Sequence, residues 1–227
     1  MSHTLSQQTA QALIEYIQQQ RLQPGDRLPN ETVLSQLLGV GRNTLREAVR
    51  QLVSRNIVTI RQGAGTFVSE KMGVADDPLG LALLPDRWET AQDLLQLRTI
   101  IEPPIAALAA QNATPEDIAA LEEKLTELEA YMGTHGVFAP MDMEYHVCIA
   151  RCTHNRVISN LIPTISEGVI SFAREVGQQE FQQTLHSHRL IFEAIRDHRP
   201  SDAQQEMLFH LLYNRNRFHM ERTKKSE

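Results

Sequence analysis

Residues 28–68, LPNETVLSQLLGVGRNTLREAVRQLVSRNIVTIRQGAGTFV, decide the fold of the amino-terminal third. Leu34, Leu37 and Leu38 recur at helical spacing and stop at Gly39. Leu45, Val49, Leu52 and Val53 make a second apolar stripe, so two short helices joined by a tight turn are expected. Arg42, Asn43, Thr44 and Arg46 fall in the first turns of the second helix and off its stripe. There a helix lying in a major groove presents side chains to bases and phosphates. Ile57, Val58, Thr59 and Ile60 are β-formers, Gly63-Ala64-Gly65 turns the chain, and Thr66, Phe67 and Val68 bring it back. Helix, turn, helix and hairpin in that order describe a winged helix-turn-helix. Arg61 sits beside the hairpin tip to meet phosphate or minor groove, and Gly63 lets the backbone come close to DNA. Gly63-x-Gly65 is not a nucleotide-binding loop, because a dinucleotide fingerprint needs a third glycine and a following helix.

With Pro24-Gly25-Asp26-Arg27-Leu28-Pro29 in front of it, this stretch resembles the DNA-binding domain of the GntR family of bacterial transcription regulators over about residues 5–70. Thr32 stands where many relatives have Arg, and Gly41 where they have a Ser helix cap. The resemblance implies double-stranded operator DNA as a partner.

The rest of the chain has a different character. Of 227 residues, 41% are hydrophobic, enough to bury a core in one or two domains. Residues 1–72 carry eight Lys and Arg against five Asp and Glu, whereas the remainder carries 14 against 23, for a net charge of −6. The basic excess follows the reading head; a net acidic chain is poorly suited to coating nucleic acid without specificity. There is no 18-residue apolar run and no charged-then-apolar leader, so a cytoplasmic protein with no membrane partner is expected.

Gly73, Pro78, Gly80 and Pro85 break periodicity in residues 73–87, a linker or hinge with room for a short helix. That divides the chain into a DNA-binding domain (1–72), the linker (73–87) and a helical domain (88–227). Helices are expected near 88–111, 115–132, 137–154, 156–176, 178–198 and 201–223. They should pack as an antiparallel all-α bundle of six or seven helices, making the fold mainly α. Thr114-Pro115-Glu116-Asp117 is a capped helix start.

Polar groups mark the inward faces of that bundle. Asp142 and His146 are four apart, on one stripe with Ile149, Ala150 and Thr153; His188 lies with Leu185, Ile191, Phe192 and Ile195; His210 lies with Ala203, Met207 and Asn214. Such groups are costly to bury unpaired, and Asp with three His is a donor set that Zn²⁺ or a similar divalent ion accepts. Taken singly, a histidine on an apolar face is more often a hydrogen-bonded core residue.

Asp142-Met143-Glu144-Tyr145-His146, the run His188-Arg189-Leu190-Ile191-Phe192-Glu193-Ala194-Ile195, His210-Leu211 and Asn155 at a helix junction resemble the FCD effector domain of the FadR-type branch of GntR regulators, over about 88–220. The resemblance implies a divalent metal held by Asp142, His146, His188 and His210, with Zn²⁺ first and Ni²⁺, Mn²⁺ or Fe²⁺ as other occupants. It further implies a small carboxylate effector on the metal's open positions, and Arg98, from the first bundle helix, gripping that effector's other end. An i,i+4 ion pair with Glu102 is the plainer role for Arg98. Glu102-Pro103 resembles the branch members that sense sugar acids such as hexuronates and aldonates. Pro103 and Pro104 lie inside this helix, where a kink near Arg98 is expected.

Cys148 and Cys152, four apart, read as two small buried apolar residues, with redox sensing as the alternative. His135, His154, His186, His198 and His219 do not join the cluster by spacing; Lys224 and Lys225 read as a fraying tail. Trp88, Leu94, Leu95 and Leu97 read as packing for a domain junction or dimer contact. The whole describes a transcription regulator, not an enzyme: a homodimer, acting as a repressor, whose operator affinity answers to a sugar acid or hydroxy acid. Two rivals share the residues. One is a metal-dependent hydrolase or lyase; the other is a DNA-binding dimer whose metal is purely structural.

Overall fold

The structure, a computed structural model, describes residues 4–71, 73–135, 139–172 and 181–226. By internal contacts the chain forms two compact units, Met1–Pro78 and Leu79–Glu227.

The first unit opens with α1 (Leu5–Gln19), held at its start by a capping box in which Thr4 and Gln7 satisfy each other's backbone amides. α2 (Glu31–Leu38) begins at Asn30, whose side chain accepts from the Val33 amide. It ends at Gly39, whose left-handed φ of 64° suits glycine and makes the tight turn. α3 (Arg42–Ser54) starts at Gly41 with no side-chain cap. β1 (Val58–Arg61) and β2 (Gly65–Val68) pair antiparallel from Val58↔Val68 to Arg61↔Gly65. The Pro24–Pro29 stretch lies along β2: the Leu28 amide donates to the Thr66 carbonyl and the Val68 amide to that of Asp26. Leu13, Leu34, Leu45, Ala48, Leu52 and Val58 close the core beneath. The second apolar stripe packs as the spacing predicts. In the first, Leu34 is buried and Leu38 partly so, but Leu37 is 59% exposed. An eight-residue helix has only about two turns and needs one anchor per turn, so the third leucine is left on the surface.

The second unit holds, among the described residues, one 3₁₀ turn (Leu81–Leu83) and six helices. These are α4 (Arg87–Asn112), α5 (Pro115–His135), α6 (Ala139–Arg151), α7 (Arg156–Phe172), α8 (Phe181–Arg196) and α9 (Pro200–Ser226). Caps set their starts. Asp86 accepts from the Trp88 and Glu89 amides before α4. Thr114 and Asp117 exchange bonds before α5, and Asn155 accepts from the Val157 and Ile158 amides before α7. α4 runs unbroken through Pro103 and Pro104. α4 packs on α6, α7, α8 and α9, and α5 on α6 and α8. The central core joins Ala106, Leu121, Leu125, Ile149, Phe192 and Met207 from five of the helices. Trp88, Leu94 and Leu95 pack with Ala91, Leu81 and Ile165 inside this unit. The mainly α class, with one small hairpin among the described residues of the first unit and a helical bundle in the second, matches the reading of the sequence.

Candidate metal centre and nucleic-acid interface

Three helices deliver the four metal-type donors. α6 supplies Asp142 and His146 from one inward stripe, α8 supplies His188 and α9 supplies His210; all four are buried. One donor atom from each lies within 4.8 Å of those from the others. The His188 Nε2 is 3.3 Å from both an Asp142 carboxylate oxygen and the His210 Nε2. Convergence at this range in an apolar interior suits a cation, because imidazole lone pairs and a carboxylate repel one another unless a proton or an ion lies between them.

The surrounding hydrogen bonds orient the rings. The His146 Nδ1 donates to the Glu102 carboxylate at 2.5 Å, which leaves Nε2 toward the cluster, 3.9 Å from an Asp142 oxygen. Ser187 aims its own hydroxyl at the Gln183 and Thr184 carbonyls, so the His210 Nδ1 donates to the Ser187 oxygen at 2.9 Å. The His210 Nε2 is then the acceptor, and the Asn214 amide lies 3.1 Å from it. Tyr145 braces α8 by donating to the His188 carbonyl. Three buried atoms in the cluster lack a hydrogen-bond partner: Asp142 Oδ1, His146 Nε2 and His188 Nδ1. The first two face the cluster, and a carboxylate oxygen and an imidazole nitrogen left unsatisfied there fit a divalent ion, which would engage such donors.

Electrostatics agree with that donor set. Burial pushes His188 down to about 4, only partly opposed by Asp142, and burial with the neighbouring histidines His188 and His146 pushes His210 well below its ordinary value. Neutral imidazoles are the form that binds metal. Burial alone would raise Glu102, but Arg98 and His146 more than offset it and hold the carboxyl at about 2. Arg98 is desolvated too, yet Glu102 and Asp142 raise it above its usual value.

Arg98 therefore takes the plainer role proposed for it as well as standing beside the cluster. Its Nε donates to one Glu102 oxygen at 2.5 Å and its Nη2 to the other at 3.4 Å, with both side chains buried. The i,i+4 spacing announced that pair. The bond from Glu102 across to His146 on α6 has no local signal and is not legible in the sequence, and the same holds for Ser187 on His210.

In the head, Arg42, Asn43 and Arg46 are exposed on α3 and Thr44 is half-buried; Arg61 and Gly63 are exposed at the wing. The Arg61 guanidinium lies 4.5 Å from the centre of the Phe67 ring, which holds it along the hairpin. Gly63 has a φ of 73° and open space where a Cβ would project. Arg46 is not free: its Nε donates to both oxygens of Glu31, at 3.1 and 3.0 Å, linking α3 to α2. Sequence reasoning missed this bond, because the two residues are 15 apart.

The remaining residues are ordinary. His154 meets Asp117 at 2.6 Å, His198 meets the Ala110 carbonyl, and His186 is exposed. The side chains of His135, His219, Lys224 and Lys225 lie outside the described residues. Cys148 and Cys152 are free, and the Cys152 thiol donates to the Cys148 carbonyl. Glu144 is turned outward to Lys124. No helix among the described residues is long and apolar enough to cross a membrane.

Comparison with known proteins follows the same division. Residues 5–68 match the model of the bacterial regulatory proteins of the gntR family, and residues 93–212, more than half the chain, match that of the FCD domain. A solved structure, Streptococcus agalactiae GntR, is 35% identical, covers 93% of this chain and 99% of its own, and has a TM-score of 0.83. The HTH-type transcriptional regulator LutR of Bacillus subtilis is 27% identical over 84% of this chain and 90% of its own. The galactonate operon transcriptional repressor of Escherichia coli is 28% identical over 81% of this chain and 82% of its own.

Proposed function

The chain belongs to the GntR family of bacterial regulatory proteins, in the branch with an FCD domain, and on that premise we propose that it is a homodimeric repressor. Its FCD domain would bind a divalent metal and, beside it, a small carboxylate that lowers operator affinity. DNA-binding transcription regulation is the work of this family, and the relatives named above are regulators, not enzymes, so the hydrolase or lyase alternative is not favoured.

The observation that carries the sensing role is the pair of buried, partnerless donor atoms Asp142 Oδ1 and His146 Nε2, together with the converging Nε2 atoms of His188 and His210, beside the desolvated guanidinium of Arg98. Four protein donors, with Zn²⁺ first among the cations that suit them, leave coordination positions an organic anion can take. Arg98 supplies charge-assisted hydrogen bonds to offset the anion's lost hydration. The name of one relative ties it to an operon for galactonate, a sugar-acid anion, which supports both the sign and the ligand class. Arg42, Asn43, Thr44 and Arg46 would read the major groove, with Arg61 and Gly63 on the backbone or minor groove. A dimer in the cytoplasm fits this scheme, because two related heads add their energies on a palindromic operator. The effector acts only if it binds the DNA-competent and incompetent states with different strength.

The test is a thermal-shift screen of sugar acids and hydroxy acids on Zn²⁺-loaded protein, then a gel shift on the promoter beside its own gene. The expected outcome is at least one acid that raises the melting temperature and releases DNA. A metal whose removal melts the bundle, with no acid moving either readout, would leave only a structural metal.

A further inference from the structure

Among the described residues, the buried acidic and basic side chains other than histidine are Arg98, Glu102 and Asp142, and all three belong to one cluster. Glu102 is its hinge. One of its oxygens accepts from the Arg98 Nε and the other from the His146 Nδ1, so a single carboxylate joins the guanidinium on α4 to a candidate metal ligand on α6. The other charges nearby do not enter the sum: Glu129 and Arg189 pair with each other at a half-buried position, and Glu144 pairs with Lys124 at the surface.

We infer that Glu102 sets the charge of the effector that this pocket accepts, and that the charge is −1: a monocarboxylate, in preference to a dicarboxylate of the same skeleton. This rests on the metal-and-carboxylate reading above and deepens it. Histidines that ligate a metal do so as neutral imidazoles, so Arg98 contributes one positive charge, and Glu102 and Asp142 one negative charge each. A divalent cation brings the buried total to +1. A guest with one negative charge closes it to zero, whereas a second carboxylate is buried without a counter-charge, which is strongly unfavourable at low dielectric. Glu102 is what makes the total +1 instead of +2. It is a positioning residue as well, because it occupies the Nε edge of Arg98 and leaves the remaining guanidinium donors for a guest, while fixing the tautomer of His146.

The experiment uses the full-length Zn²⁺-loaded protein and matched acid pairs that differ in one terminal group: gluconate with glucarate, galactonate with galactarate, and lactate with hydroxymalonate. Affinities are measured by calorimetry. In the wild type, the monoanion of a binding pair is expected to bind at least about ten-fold more tightly than its dianion. Glu102→Gln, which keeps the size and removes the charge, is expected to shift that ratio toward the dianion by about ten-fold or more. A residue acting only on the fold would weaken both members alike and leave the ratio unchanged. The Co²⁺-substituted variant should also show an altered visible absorption spectrum, since His146 loses its anionic partner.

A wild-type protein that binds a dianion as tightly as its monoanion partner overturns the inference without any variant, as does a ratio that Glu102→Gln leaves in place. If no acid of either charge binds the loaded protein, the carboxylate reading itself falls and takes the inference with it. That result is distinct from binding with the wrong preference.

Discussion

Arg46 and Arg98 are each tied to a glutamate, but in opposite surroundings, and the contrast separates the two halves of the protein. The Arg46–Glu31 pair bridges two helices of the head with roughly half of each side chain in water. The Arg98–Glu102 pair is almost completely withdrawn from solvent. An exposed pair is worth roughly 0–1 kcal/mol and is screened by salt, so a DNA phosphate or base can take Arg46 from Glu31 at little cost. A buried pair holds because breaking it strands a charge, and Arg98 can be shared with an incoming anion but not released to water. On the proposed function, DNA reading would use side chains that exchange partners with solvent, and sensing would use side chains that water does not reach.

Four perturbations break or sharpen this contrast. The largest effect is expected for His188→Ala, which removes a donor from the centre of the cluster. Bound metal should fall from about one ion per chain to near zero by elemental analysis, and the gain in melting temperature on adding Zn²⁺ should vanish. Retention of full metal content would take His188 out of the ligand set.

Next is Arg98→Leu, which leaves Glu102 ionised and buried. Unfolding of the bundle by denaturant should be easier by about 3–5 kcal/mol, and adding Glu102→Gln should restore part of the loss. Loss of effector response in an Arg98 variant therefore needs that double variant beside it, to separate a missing ligand contact from a stranded carboxylate. A change within about 0.5 kcal/mol would show that the pair is solvated.

Arg46→Ala comes third. Operator affinity should fall by about 1–3 kcal/mol in gel shifts at constant salt, while stability of the free protein changes by no more than about 1 kcal/mol and metal content stays the same. Equal operator binding would reduce Arg46 to a strut between α2 and α3. The smallest effect belongs to Gly41→Ser. The α3 start has extended backbone and open space at the Cβ position, so a serine cap should stabilise the head by a few tenths of a kcal/mol, read as a small rise in denaturation midpoint. A loss of stability would mean that the turn cannot admit the cap.

Much of this was legible beforehand for a specific reason. Asp142 and His146 had to share a face because four residues at 100° each complete about one turn, and Ile149 and Ala150 marked that face as inward. Thr114 with Asp117, Asn155 and Gly39 announced helix ends through local chemistry alone. Leu37 shows the limit of the method: its spacing suits the stripe, but exposure depends on where neighbouring elements end. The stripes of α8 and α9 likewise marked His188 and His210 as inward. Spacing could not measure how close they come to Asp142; their shared donor chemistry suggested one set, and the family resemblance strengthened that reading.

The amino-acid sequence by itself determined the division of labour: a basic helix-turn-helix with a wing, an acidic helical bundle, and inward-facing Asp and His on three helices. These follow from periodicity, capping and charge, which act over a turn or two of chain. Only the tertiary structure decided that Glu102 touches both Arg98 and His146, that Ser187 orients His210, and that Glu31 holds Arg46. Apart from the Arg98–Glu102 turn, those bonds join residues 15 to 44 positions apart. Their lengths are set by how helices pack, and no local rule of spacing reaches that far.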